Sequence, residues 1–227
     1  MDYIKNVKQL FTETPPQWDK ISCILNEQHF TKEELADIAI HIVNNCFCEY
    51  KEATGYRGLE SVDIKTTNSY YLVESLKILL QCGLDPNVSV HGDNAIWYTQ
   101  YVDIPNVAAS AMRLLLEHGG NPNITVDDDP ERLFEDIDDK VFEDAYVYGF
   151  EYVVQCWLVL LAFGGQSKYN VNPIKMMEGY KIDIFKDFEN YDYVFGSVYE
   201  EEDKRNRFAM LIFDKRTRMV VAHSYDV

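Results

Sequence analysis

One thirteen-residue pattern occurs twice in this chain, and it narrows the architectures open to it more than any other feature. Leu76-Lys77-Ile78-Leu79-Leu80-Gln81-Cys82-Gly83-Leu84-Asp85-Pro86-Asn87-Val88 returns 36 residues later as Met112-Arg113-Leu114-Leu115-Leu116-Glu117-His118-Gly119-Gly120-Asn121-Pro122-Asn123-Ile124. A shorter copy, Trp157-Leu158-Val159-Leu160-Leu161-Ala162-Phe163-Gly164-Gly165, follows after a further 45 residues. Each copy reads as a helix closed by a left-handed glycine; in the two full copies a polar turn follows. One such helix cannot bury its own apolar face, so the copies need neighbours to stack on.

Other helices are expected around these copies. Phe30-Thr31-Lys32-Glu33-Glu34-Leu35 has a capping threonine, a glutamate three residues on and an apolar staple pair. Leu35, Ile38, Ala39, Ile42, Val43 and Cys46 follow on one helical face. A shorter helix is expected over Trp18–Glu27, with Ile21, Ile24 and Leu25 as its apolar side. Leu72, Leu76, Leu79 and Leu80, then Ala108, Ala111, Met112 and Leu115, then Val153, Val154, Trp157, Leu158 and Leu161 mark the helices of the three copies. Beyond residue 167 the pattern changes. Segments 193–199, 208–213 and 219–222 are rich in aromatic and β-branched residues, with Asp214-Lys215-Arg216-Thr217 as a turn.

The endings Leu79–Asn87 and Leu115–Asn123 resemble those of the ankyrin-repeat family, over roughly residues 68–167. The family's Thr-Pro-Leu-His helix start is replaced here by Asn94-Ala95-Ile96-Trp97, and the period is longer than usual, which implies an irregular stack. The resemblance implies protein recognition without catalysis, through turn tips and inner helices. Trp97, Tyr98 and Tyr101 would lie on the short helix that lines the concave side, where tyrosine and tryptophan serve as contact anchors. Trp97 is read as packing between repeats. The expected fold is mainly α: an ankyrin-like helical solenoid over residues 1–167, with a C-terminal antiparallel β meander over 168–227 (α+β overall). The meander would cover the last helices, as a repeat stack requires.

Charge points to the partner. The net charge is −17, and residues 1–167 carry 11 basic against 27 acidic groups. Nucleic acid and anionic membranes demand a basic surface, so neither is an expected partner. A basic protein is. The segment 127–144 holds ten acidic and two basic residues. Asp129-Pro130 reads as a helix cap and first turn, with Leu133, Phe134, Ile137 and Val141 as the buried stripe. Asp127, Asp128, Asp129, Glu131, Glu135, Asp136, Asp138 and Asp139 are the candidate partner-binding acids. The like-charge pairs Glu131/Glu135, Glu135/Asp139 and Asp139/Glu143 each cost a helix about 0.2–0.5 kcal/mol. A field that speeds encounter with a basic partner accounts for such repulsion; a merely solvated face is the plain alternative. The spacing Asp127-x-Asp129-x-Glu131 lacks the glycine and terminal glutamate of a calcium loop, so no metal is expected.

No nucleophile, P-loop, zinc or dinucleotide motif occurs. His118, just before Gly119, reads as a cation at a helix C-terminus. Asp183 with Glu202 and Lys204 is the one arrangement that echoes a metal-dependent hydrolase. The five cysteines, Cys23, Cys46, Cys48, Cys82 and Cys156, are odd in number and scattered, as expected of free thiols on helices in a cytoplasmic protein. No secretory signal is read at the N-terminus, and no cofactor is expected. The expected function is non-enzymatic binding of a basic protein through an acidic face. One concrete form is an immunity-type inhibitor of a toxin or nuclease; a scaffold or regulatory adaptor is the alternative.

Overall fold

The computed structural model describes residues 3–13, 15–46, 69–102, 105–126, 129–133, 137, 151–167, 191–200, 205–214, 216–217 and 220–225. Among these the protein is mainly helical. The chain forms two compact units, Met1–Gly120 and Asn121–Val227. The change of composition at residues 167/168, expected as the boundary, falls inside the second unit.

The first unit contains α1 (Tyr3–Thr12), α2 (Trp18–Glu27), α3 (Lys32–Asn44), α4 (Ser69–Gln81), α5 (Ala95–Thr99) and α6 (Pro105–Glu117). Helix α1 packs on α2 and α3; α3 packs on α4 and α5; α6 packs on both α4 and α5. Val7, Leu10 and Phe11 of α1 and Ile21 and Leu25 of α2 are the buried positions, three or four residues apart as one helical face requires. Phe11, Trp18 and Tyr71 form an edge-to-face chain, with ring centroids 6.3 and 6.2 Å apart. The start of α3 is the capping box read from sequence. Thr31 Oγ1 accepts from the Glu34 N–H at 3.2 Å, and Glu34 Oε2 accepts from the Thr31 N–H at 2.8 Å.

The three glycine-closed helix ends are alike in detail. Gly83, Gly119 and Gly164 take φ of 97°, 91° and 87°. Their N–H groups donate to Leu80, Leu116 and Leu161, at 3.1, 3.0 and 3.1 Å. The next N–H groups, of Leu84, Gly120 and Gly165, donate to Leu79, Leu115 and Leu160, at 3.0, 3.1 and 2.9 Å. This double closure satisfies two carbonyls that the helix itself leaves open. The Pro-Asn turns that follow the first two ends are alike as well. Asp85 Oδ1 accepts from the Asn87 N–H at 3.1 Å, and Asn121 Oδ1 accepts from the Asn123 N–H at 2.9 Å.

Gly120 has a separate reason to be glycine. A Cβ there would stand 2.6 Å from Ile96 Cδ1 and 2.9 Å from the Leu115 carbonyl oxygen. The corresponding position of the first copy holds Leu84, whose side chain is buried.

The second unit holds β1 (Thr125–Val126), β2 (Asp129–Arg132), α7 (Glu151–Ala162), β3 (Tyr191–Glu200), β4 (Arg205–Asp214) and β5 (Val220–Tyr225). Every residue of α7 from Val154 to Leu161 is buried, so this helix has no solvated face over that stretch. It packs against β3. Strands β3, β4 and β5 neighbour one another in that order, antiparallel, with Tyr193 opposite Ile212 and Ile212 opposite Ala222.

Asp129-Pro130 corrects an expectation. These residues do not open a helix; they lie in β2, paired antiparallel with β1. The Leu133 N–H donates to the Ile124 carbonyl at 2.8 Å and closes the pair. β-Branched Ile124, Thr125 and Val126 favour extended backbone, and proline is tolerated in a strand that has a free edge. Helical backbone begins at Leu133. Leu133 and Ile137 are both helical and fully buried; Phe134 and Val141, the rest of the expected apolar stripe, lie outside the described residues.

Candidate interaction site

The best-defined surface feature is built on the loop between α4 and α5. The Val90 N–H donates to the Asp93 carbonyl at 2.9 Å, and the Asp93 N–H to the Val90 carbonyl at 3.0 Å. Between them His91 and Gly92 take φ of 55° and 88°, the pattern of a type I′ hairpin turn. Asn94 then holds the loop from inside. Its Nδ2 donates to the Pro86 and Val88 carbonyls at 3.0 and 3.2 Å. Its Oδ1 accepts from the Ile96 and Trp97 N–H groups at 2.8 and 3.4 Å and so caps α5. Asn94 is fully buried, with both ends of its amide paired.

This cap fixes where the aromatic residues go. Trp97 is 6% exposed and belongs to the core of the first unit. Tyr98 is half-buried, and its hydroxyl donates to Asp93 Oδ1 at 2.6 Å. Tyr101, expected on this short helix, lies two residues beyond its last residue, Thr99, and is 43% exposed. The Tyr98 and Tyr101 rings stand 6.3 Å apart at an interplanar angle of 49°. Among the described residues the ion pairs are Lys8–Asp37, Lys32–Asp85, Lys77–Glu74 and Arg113–Glu117, so Asp93 has no lysine or arginine partner. The outcome is a partly buried carboxylate, set by a two-residue turn and hydrogen-bonded to the Tyr98 hydroxyl.

Of the acids predicted to bind a partner, Asp129 and Glu131 lie in β2. Asp127, Asp128, Glu135, Asp136, Asp138 and Asp139 lie outside the described residues, as do Asp183, Glu202 and Lys204 of the hydrolase arrangement and Cys48. Among the described residues no group of three or more His, Cys, Asp or Glu is placed to hold a metal. None of the described helices is long and apolar enough to cross a membrane. Cys23, Cys46, Cys82 and Cys156 are free thiols; Cys46 and Cys156 are buried and Cys23 is exposed. His118 Nδ1 sits 2.9 Å from the Leu114 carbonyl and donates to it, which ties the ring to the last turn of α6.

Asp93 itself escaped the sequence reading, although a signal for it exists. Val88-Ser89-Val90-x-x-Asp93 and Ile124-Thr125-Val126-x-x-Asp129 continue the repeat past the Pro-Asn turn, again 36 residues apart. The backbone repeats with it: Val90 bridges Asp93, and Val126 pairs with Asp129. No family model, curated protein or solved structure matches this chain.

Proposed function

We propose that this protein is a divergent, ankyrin-like repeat protein with a C-terminal antiparallel meander, and that it works without catalysis by binding a basic protein. The observation that carries the binding reading is the placing of charge: ten of the 38 acidic side chains fall in residues 127–144, directly after the second copy of the repeat ending. Acids gathered in one segment create a directed field, which sets the rate and orientation of encounter with a cationic surface. The likeness of the helix ends at Gly83, Gly119 and Gly164 supports the repeat reading. A cytoplasmic location fits the four free thiols of the described residues. An immunity-type inhibitor, which masks the cationic cleft of a toxin or nuclease, is the concrete form we favour.

The test is kinetic. Once a partner is in hand, its association rate should fall about tenfold or more between roughly 20 and 500 mM salt, because screening removes long-range attraction. An association rate indifferent to salt would favour the adaptor reading, in which contacts and not the field select the partner.

A further inference from the structure

We propose that His41 is a proton-operated latch: α1 stays docked on α3 while the ring is neutral and loosens when the ring is protonated. This device is independent of the partner reading above. Helix α1 packs on α3, and Lys8 Nζ of α1 meets Asp37 Oδ1 of α3 at 2.7 Å. His41 follows Asp37 by four residues, so it lies one turn on along the same face of α3. The ring is half-buried. Asn45 fixes its protonation state. Asn45 Nδ2 lies 2.6 Å from the His41 carbonyl oxygen and donates to it, which sets the orientation of the amide. The same Nδ2 stands 3.3 Å from His41 Nε2 and presents its second hydrogen there. Nε2 must therefore accept, which makes the ring neutral, with its one proton on Nδ1.

A proton on Nε2 would turn this acceptor into a donor facing a donor. It would also set a second cation near Lys8, and the two would compete for Asp37. Burial first, then the Lys8 charge, pulls the ring below its usual value of 6.5, and Asp37 opposes them. Of the α1 lysines, Lys5 and Lys8, it is Lys8 that acts on the ring; of the charges on α3 itself, it is Asp37. Helix α3 also packs on α4 and α5. On α4, Glu74 pairs with Lys77, and α5 carries no charge. The linkage then has one sign. The docked ring holds a proton less readily than the free ring does. Docking of α1 is favoured above pH 6.5 and loses that contribution as pH falls through the folded value. Loosening α1 uncovers the apolar face that Val7, Leu10 and Phe11 bury.

The experiment is native-state hydrogen exchange on the full chain, compared for α1, α4 and α6 between about pH 7.5 and 5, with intrinsic exchange rates divided out. The expected result is that opening of α1 rises about three- to tenfold across this range, while opening of α4 and α6 changes less. His41→Gln keeps an acceptor for Asn45 and takes up no proton, so α1 should stay equally protected at every pH of the range. Asn45→Ala removes the donor that faces Nε2, so release of α1 should begin at higher pH. This second variant keeps the test open if His41→Gln does not fold. Ring-nitrogen NMR of the parent should show Nε2 without a proton at neutral pH. The latch is overturned if α1 opens in step with α4 and α6, or if its pH dependence survives His41→Gln. A release midpoint unmoved by Asn45→Ala, or a proton on Nε2 at neutral pH, overturns it as well.

Discussion

The Asn87 side chain donates from Nδ2 to the Gly119 carbonyl at 2.9 Å, across 32 residues of chain. Asn87 closes the turn of one copy of the repeat ending, and Gly119 is the left-handed glycine of the next. In the second unit Asn123, the same position one copy later, accepts through Oδ1 from the Gln166 N–H at 3.2 Å, two residues past Gly164. Each Pro-Asn turn thus reaches the glycine turn that follows it. The first turn is also tied backward, since Lys32 Nζ meets Asp85 Oδ2 at 2.9 Å.

Asn87→Ala should therefore lower stability by about 0.5–1.5 kcal/mol, the ordinary net worth of one hydrogen bond. The loss is read as a lower urea midpoint at an unchanged slope. A variant as stable as the parent would mean that water replaces the amide at Gly119 without cost.

Gly120→Ala should cost about 1–3 kcal/mol, since a Cβ would meet both Ile96 Cδ1 and the Leu115 carbonyl. The double variant with Ile96→Val removes one of these contacts and leaves the other, so it should recover only part of the loss. Gly83→Ala is the control for backbone strain alone. A Cβ there meets nothing within 4 Å, and its cost comes from the left-handed φ of 97°.

The pH dependence of stability should carry a contribution from His41. Burial, and after it the nearby Lys8, pulls its ring below the usual histidine value of 6.5, while Asp37 works against them. The folded state then binds its proton less readily than the unfolded state does. This contribution to stability is fully present above pH 6.5 and is lost as pH falls through the folded value. His41→Gln should flatten the stability profile on the acid side of pH 6.5, measured by thermal unfolding across pH. An unchanged profile would contradict the assignment.

Asp85 should act lower on the scale. Hydrogen bonding from Lys32, then from the Asn87 backbone, holds its carboxyl below the usual value of 3.8. Its contribution is present above pH 3.8 and is lost as pH falls through the folded value. The stability difference between parent and Asp85→Asn should shrink across that acid range.

The sequence reveals more of the helices than of the segments between them. Thr31 and Glu34 announce their capping box because both partners lie within four residues of each other. Gly83, Gly119 and Gly164 announce helix ends because only glycine takes their φ without strain. Asp129-Pro130 misleads because the same pair serves a helix start or an edge strand, and pairing with Val126 decides between them. The placing of Asp93 stays hidden because it depends on a hydrogen bond from Tyr98, five residues away, and on a turn that Asn94 holds from within. Tyr98 and Tyr101 are visible as a pair by spacing alone, but their half-buried and exposed states follow from where α5 stops.

The central claim, that this acidic chain binds a basic protein through its charge, is tested most directly by quantitative affinity capture from the native lysate. The wild-type chain is run beside a variant with Glu135, Asp136, Asp138 and Asp139 changed to their amides, at ~50 and ~500 mM salt to vary the screening. The account predicts one basic protein, captured at one-to-one stoichiometry at low salt, depleted at high salt and lost from the variant. Capture of the same protein by both forms, unaffected by salt, or the absence of any basic protein at low salt, would contradict it.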